Sequence, residues 1–220
     1  MNHGREQAAA RERPFVMSGG DVRAVMAGLK TQARRVMDPQ PPSRGDNGQP
    51  LLRVVPSLLA NRGDLFDAQY DLDNPHARRC PYGAPGERLW VREAWGRVAG
   101  APVYRALWTF DYPPDGGHWH RAAAMPRTVA RLVLNITALH AERLQDIAVA
   151  DIIAEGITVP PVDYSVAERP DVLDYERSCF AREAFSRRWD RDFGKRAGGA
   201  FAWAQNPWVW VPEFTVERAK

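Results

Sequence analysis

Lysine is nearly missing from this chain. Of the 30 basic side chains in 220 residues, only Lys30, Lys195 and Lys220 are lysines, and the rest are arginines. A charge wanted for solubility or phosphate contact would, by weight of numbers, be arginine here. An amine can lose its proton when desolvated and then act as a base or nucleophile, which a guanidinium does not do. Lys30 stands in Met26-Ala-Gly-Leu-Lys-Thr-Gln-Ala-Arg-Arg35, where a short helix is expected to give way to a strand. A solvated lysine favoured by the dipole of a helix C-terminus explains the same placement, and both readings stay open.

Cysteine is as scarce. Cys80 and Cys179 stand alone, with no C-x-x-C or Cys/His spacing, so a disulfide framework or zinc site has no support. His76, His118, His120 and His140 share no metal-ligand spacing, and Gly19-Gly20 and Gly198-Gly199 lack the context of a phosphate loop. Neither metal nor cofactor is expected. No apolar run approaches the ~20 residues that span a bilayer, and Met1 to Gln7 is polar, without a signal-peptide core. The expectation is a soluble, cytoplasmic protein with no membrane partner and no obligate protein partner. The net charge is only +3, yet the arginine bias and a pI near 9.1 lean toward anionic partners. Arginines on exposed helix faces would give the same balance.

With 45% hydrophobic and 26% charged residues, the chain suits one well-buried domain. Residues 1–12 read as a disordered arm, and 13–220 as a single domain with insertions at about 38–80 and 158–175. Pro14 to Met17 suits a first strand. Ser18 or Asp21 then caps a helix carrying Val22, Val25, Met26 and Leu29, which Gly28 ends. Glu87 to Trp95 alternates as a strand, with Leu89, Val91 and Glu93 on one face and Trp90, Arg92 and Ala94 on the other. Strands are also expected over 103–110, 129–139 and 208–214. Leu144, Ile147 and Ile152 suit helical segments closed by Gly156, and 175–193 reads as an amphipathic helix with Phe180, Ala184 and Trp189 near one side. Regular strand–helix alternation is absent, which argues against a doubly wound sheet and for an α+β fold built on a small mixed barrel.

Several segments together resemble the ASCH domains of the PUA-like superfamily, most closely phage and prophage ASCH-like proteins. They are Gly28-Leu-Lys-Thr-Gln-Ala-Arg-Arg-Val36, Pro81-Tyr-Gly-Ala-Pro-Gly-Glu-Arg-Leu-Trp-Val-Arg-Glu-Ala-Trp95 and Met125-Pro-Arg-Thr-Val-Ala-Arg131. Glu142-Arg-Leu-Gln-Asp-Ile147, Ala154-Glu-Gly-Ile157 and Asn206-Pro-Trp-Val-Trp-Val211 follow in the same order. The resemblance implies a β-barrel flanked by helices, with a cleft in which relatives bind RNA or nucleotides. Some bacterial members remove the acyl group from N4-acetylcytidine, and another is a ribonuclease. The amidohydrolases use a lysine, a threonine three residues later and a distant glutamate. Lys30 matches the lysine and Glu155 the glutamate, but Ala33 stands at the threonine position and Thr31 would project elsewhere. If the hydroxyl is the nucleophile, covalent catalysis is lost; if lysine and glutamate activate water, it is not.

The expected partner is thus a modified nucleoside, a nucleotide or RNA. Hydrolysis of an N4-acyl amide by Lys30 and Glu155 is the first reading; a non-catalytic RNA-binding module and a ribonuclease are the alternatives. A Lys30–Glu155 pair is equally what an ordinary salt bridge between helix and barrel would look like. Glu93, among Trp90, Arg92 and Trp95, is a second acidic candidate, at the cleft or on an exposed face. Thr31, Arg34, Arg35 and Arg92 are candidates for contact with substrate or RNA, the arginines by phosphate binding or base stacking. Of eight tryptophans most are expected to be packing, with Trp90, Trp95 and Trp119 as possible base-stacking surfaces.

Overall fold

The computed structural model describes residues 11–41, 64–65, 78–110, 117–161 and 169–218. Most of the N-terminal arm and most of both expected insertions lie outside the described residues. The fold is α+β. Five strands form one mixed sheet in the order β1 (Glu12–Val16), β5 (Arg88–Arg92), β8 (Leu132–Arg143), β9 (Trp208–Arg218) and β2 (Arg35–Val36). β1 runs parallel to β5, and every other neighbouring pair is antiparallel. β3 (Asp64–Leu65) pairs with β4 (Arg78–Arg79), and β6 (Trp95–Val98) with β7 (Ala101–Tyr104). Among the described residues no strand pairing joins β1 to β2, so the barrel expected from the sequence is here an open sheet. A side chain spans the gap instead: Arg35 Nη2 donates to the Val16 carbonyl at 2.9 Å.

Among the described residues three α-helices pack on the sheet: α1 (Gly19–Met26), α2 (Val149–Ala154) and α3 (Pro170–Trp189). Ser18 is the N-cap of α1, and Asp21 closes a capping box with it: the Asp21 amide donates to Ser18 Oγ at 3.1 Å. Val22 and Val25 of this helix pack with Phe15, Leu89, Leu134 and Phe214 in one core. A second core joins Ile152 of α2 and Phe185 and Trp189 of α3 to Val209 and Val211, while Trp210 between them faces a third core with Met37 and Leu139. Successive β-strand residues point to opposite faces, so β9 serves both. In β8 the register moves from Ile136↔Phe214 to Ala138↔Glu213. The extra residue switches the alternation: Leu134 and Ile136 are buried before it, Leu139 and Ala141 after it.

Some expectations shift. β7 is shorter than the expected strand over 103–110, because a 3-10 turn takes over at Arg105–Leu107. α3 starts earlier than Tyr175, with Pro170 in its first turn. Its buried stripe is Ala181, Phe185 and Trp189, four residues apart, whereas Phe180 is 47% exposed. The helix ends in a π-helical turn, Asp190–Gly194. Among the described residues no helix is long and apolar enough to cross a membrane.

Candidate functional site

The segment after α1 is fixed on both sides by backbone hydrogen bonds. Gly28, at φ 72°, ends the helix in the left-handed region. The amides of Thr31 and Gln32 then donate to the Ala154 carbonyl at 2.8 and 3.1 Å. On the other side, the Phe214 amide donates to the Thr31 carbonyl at 2.9 Å and the Ala33 amide to Pro212 at 3.1 Å. This threading between α2 and β9 sets Lys30 directly opposite Glu155. Gly156 permits the approach. It stands at φ +81°, and a Cβ there would lie 2.9 Å from Ala24 Cβ and 3.2 Å from Lys30 Cβ. Gly156→Ala should therefore lower stability by more than about 1 kcal/mol, read from the denaturant midpoint, since alanine is strained at this φ and also collides.

Lys30 is 1% exposed. Its Nζ donates to the Glu155 carbonyl at 3.0 Å and to Glu155 Oε2, and lies 3.3 Å from Asp21 Oδ1. Three acceptors thus meet the three hydrogens of an ammonium. The second oxygen of Glu155 accepts from the Arg34 amide and lies 3.4 Å from Arg34 Nη1. Arg34 Nε donates to Glu142 Oε1 at 2.6 Å, and Arg34 Nη2 is 3.5 Å from Asp151 Oδ2. Arg188, from α3, donates to Asp21 Oδ1 and to the Glu155 carbonyl, the latter at 3.2 Å. Cations and carboxylates alternate through the cluster, as burial requires.

Burial alone would raise the carboxyl of Asp21, but the charges of Lys30, Arg188 and Arg35 overcome it and bring it down to about 2. Burial likewise opposes ionisation of Glu155, and Lys30 and Arg34 outweigh it, so its carboxyl is lowered. Both acids are held as carboxylates. A carboxyl depressed in the folded state contributes stability above its unfolded value, near 3.8 for Asp21, and loses it as pH falls through the folded one. Stability should therefore drop by about 2 kcal/mol for Asp21 alone between pH 4 and 2. Urea titrations at stepped pH test this, and in Asp21→Asn the drop should be smaller by that amount.

A cleft of about 950 Å³ opens beside this cluster, and Asp21, Arg34 and Glu155 form part of its lining. Phe185, Trp189 and Phe193 supply aromatic wall, and the indole N–H of Trp189 is fixed by donation to the Phe201 carbonyl at 2.7 Å. Arg35, Arg188, Arg191 and Arg196 line the cleft together with Asp38 and Asp192. Lys30 does not reach the lining. It lies beneath the carboxylates, so what faces a ligand is Asp21, Glu155 and guanidinium groups rather than the amine.

The other sequence candidates divide. Arg35 is on the cleft, with its guanidinium 4.4 Å above the Phe15 ring. Arg34, expected to meet phosphates, is 1% exposed and engaged by Glu142 and Glu155. Thr31 is exposed and acts through its backbone. Glu93, Trp90, Arg92 and Trp95 lie outside the cleft lining. Glu93 is buried in a two-pronged pair with Arg131, at 2.8 and 2.9 Å. Trp95 is buried and stacks on His120 at 4.8 Å between centroids, and Arg92 lies 5.3 Å over Trp90. The methyl of Ala33 faces the apolar core with Phe15 and Val22.

Sequence reasoning missed Asp21 and Arg188 as members of the cluster. The signal for Asp21 was present, since Ser18-Gly-Gly-Asp21 has capping-box spacing, but it pointed to a helix end rather than to Lys30. Nothing local marks Arg188, which is 167 residues from Asp21 along the chain. Among the described residues no three His, Cys, Asp or Glu side chains converge as metal ligands. Comparison with family models, curated proteins and solved structures returns no significant match to this chain.

Proposed function

We propose that this chain is a PUA-like ASCH protein whose cleft receives a nucleoside or nucleotide, with hydrolysis of an N4-acyl cytidine amide as its reaction class. One observation carries the reading. Lys30 and Glu155, paired by the family resemblance from segments 125 residues apart, are in direct contact beside a cleft of about 950 Å³. That volume falls in the range of small-ligand sites, about 300–1,000 Å³. Tyr82 and Phe193 are the partly exposed aromatic rings of the lining, and a base stacked on such a ring gains about 1–3 kcal/mol.

With alanine at position 33, the nucleophile in this reading is water. Glu155 takes a proton from it as the oxygen attacks the acyl carbon. The C–N bond breaks, the proton passes to the departing amine, and the products are cytidine and a carboxylic acid. In this reading Arg188, on the cleft lining, meets the oxyanion that develops. Lys30 positions the Glu155 carboxylate.

The second reading is a non-catalytic binding module for RNA or nucleotide. Ala33, turned into the core, and a Glu155 carboxyl depressed below the range of an efficient base both favour it. Ribonuclease chemistry would set the Lys30 amine against a phosphate, and draws no support from an amine enclosed by Asp21 and Glu155.

Mass spectrometry of N4-acylated cytidines and short RNAs incubated with the protein tests the proposal. Cytidine should be released, Glu155→Gln should slow release by about 10²–10⁴, and Lys195→Ala should leave it unchanged. Binding without product would favour the second reading. Neither binding nor product would end both.

A further inference from the structure

Two imidazoles stand together away from the cleft. His118-Trp119-His120 has no member on the cleft lining. Side chains two residues apart on an extended segment share a face. The segment is tied to β6 in both directions: the His120 amide donates to the Trp95 carbonyl at 2.8 Å, and the Trp95 amide donates to the His120 carbonyl at 3.3 Å. The His120 ring is also stacked on the buried Trp95 indole, which fixes its plane. The His118 ring lies 4.4 Å from it, centroid to centroid, with the planes inclined at 64°. His118 is exposed and His120 partly so. Among the described residues, neither ring makes a hydrogen bond or an ion pair, so the ring nitrogens are uncommitted.

That separation is the one a shared ion requires. A metal lies about 2.0–2.1 Å from an imidazole nitrogen, hence about 3.2 Å from the ring centre, and two rings at neighbouring coordination positions then have centres about 4.5–5 Å apart. The observed spacing reaches this range with a small side-chain rotation. Inclined planes cross, so one ion can lie in the plane of both rings.

We infer that His118 and His120 chelate a single divalent transition-metal ion, of the zinc and copper class, with water filling its other positions. Neutral imidazole nitrogens suit such ions, and Cu2+ should bind more tightly than Zn2+. Mg2+ and Ca2+, which take oxygen ligands, should not bind. No third His, Cys, Asp or Glu converges among the described residues, and the guanidinium groups of Arg97 and Arg105 lie over the adjacent Trp95 and Trp119 rings. Affinity is therefore moderate, because these cations oppose a third. The site stands apart from the base-binding reading and does not depend on it.

Calorimetric titration of the tag-free full chain with Zn2+, and with Mg2+ as control, tests the chelate. Zn2+ should bind, and His118→Ala and His120→Phe should each weaken it by about 10-fold or more. Phenylalanine at 120 keeps a ring against Trp95 while removing the ligand, so a loss there is not a loss of packing. His140→Ala, on β8, should leave Zn2+ affinity unchanged. Absence of Zn2+ binding, or binding that survives both variants, would overturn the site. So would a loss in only one of the two, which would mean a single imidazole rather than a chelate, a loss that follows His140→Ala instead, or equal binding of Mg2+.

Discussion

Lys30→Met should lower folding stability by about 3–5 kcal/mol, the scale observed when one partner of a buried ion pair is removed. Methionine fills nearly the same volume, so packing is largely kept and the loss is electrostatic. Glu155 and Asp21 would be left as buried carboxylates, with Arg34 and Arg188 as their remaining counter-charges. Protonation is their other escape, so part of the destabilisation should be relieved as pH falls toward 5. Denaturant unfolding of wild type and variant at pH 7 and pH 5 reads both effects. The double variant Lys30→Met/Glu155→Met should be less damaged than the sum of the singles, because it removes a charge together with its partner. A loss under 1 kcal/mol for Lys30→Met would show that the cluster does not depend on the amine.

Arg131→Met should be comparably damaging, again about 3–5 kcal/mol, and for a reason remote from the cleft. Glu93 is 1% exposed and both its oxygens accept from Arg131. Arg131 also lies 4.1 Å over the Tyr104 ring, whose hydroxyl donates to the Val129 carbonyl at 2.8 Å. Removing the guanidinium strands a carboxylate and loosens this packing at once. Affinity for any cleft ligand, measured below the unfolding transition, should remain unchanged. A marked loss of affinity in a variant that is still folded would return Glu93 and its neighbours to the binding site.

What the sequence could reveal depended on how local the cause was. The glycine stops after α1 and α2 and the in–out alternation of β5 are settled within a few residues and read directly from the chain, and the cap of α1 is narrowed there to Ser18 or Asp21, of which the structure selects Ser18. Leu89, Val91 and Glu93 are indeed the buried face. The fate of Glu93 was not readable, since its partner Arg131 lies 38 residues on, just before the neighbouring strand β8. Arg34 misled for the opposite reason: arginine is rarely enclosed without partners, and its partners Glu142 and Glu155 stand 108 and 121 residues away. The stripe of α3 was misjudged because Phe180 is apolar yet faces water, which hydrophobicity alone does not signal. The Lys30–Glu155 contact was anticipated only through the family resemblance, as no periodicity links the two segments.

The ion cluster also bears on how the protein reaches and keeps its fold. Its members come from positions 21, 30, 34, 142, 155 and 188, so nearly every bond in it closes a very long loop of chain. Closing such loops is entropically unfavourable before the surrounding cores exist, and a partly assembled cluster would strand charges in an apolar setting. Its completion is therefore expected after α1, α2 and the β8–β9 ribbon have come together. Interactions formed that late hold back unfolding far more than they hasten folding. The expected consequence is kinetic: Lys30→Met should speed unfolding far more than it slows refolding, which stopped-flow measurement of both rates reads.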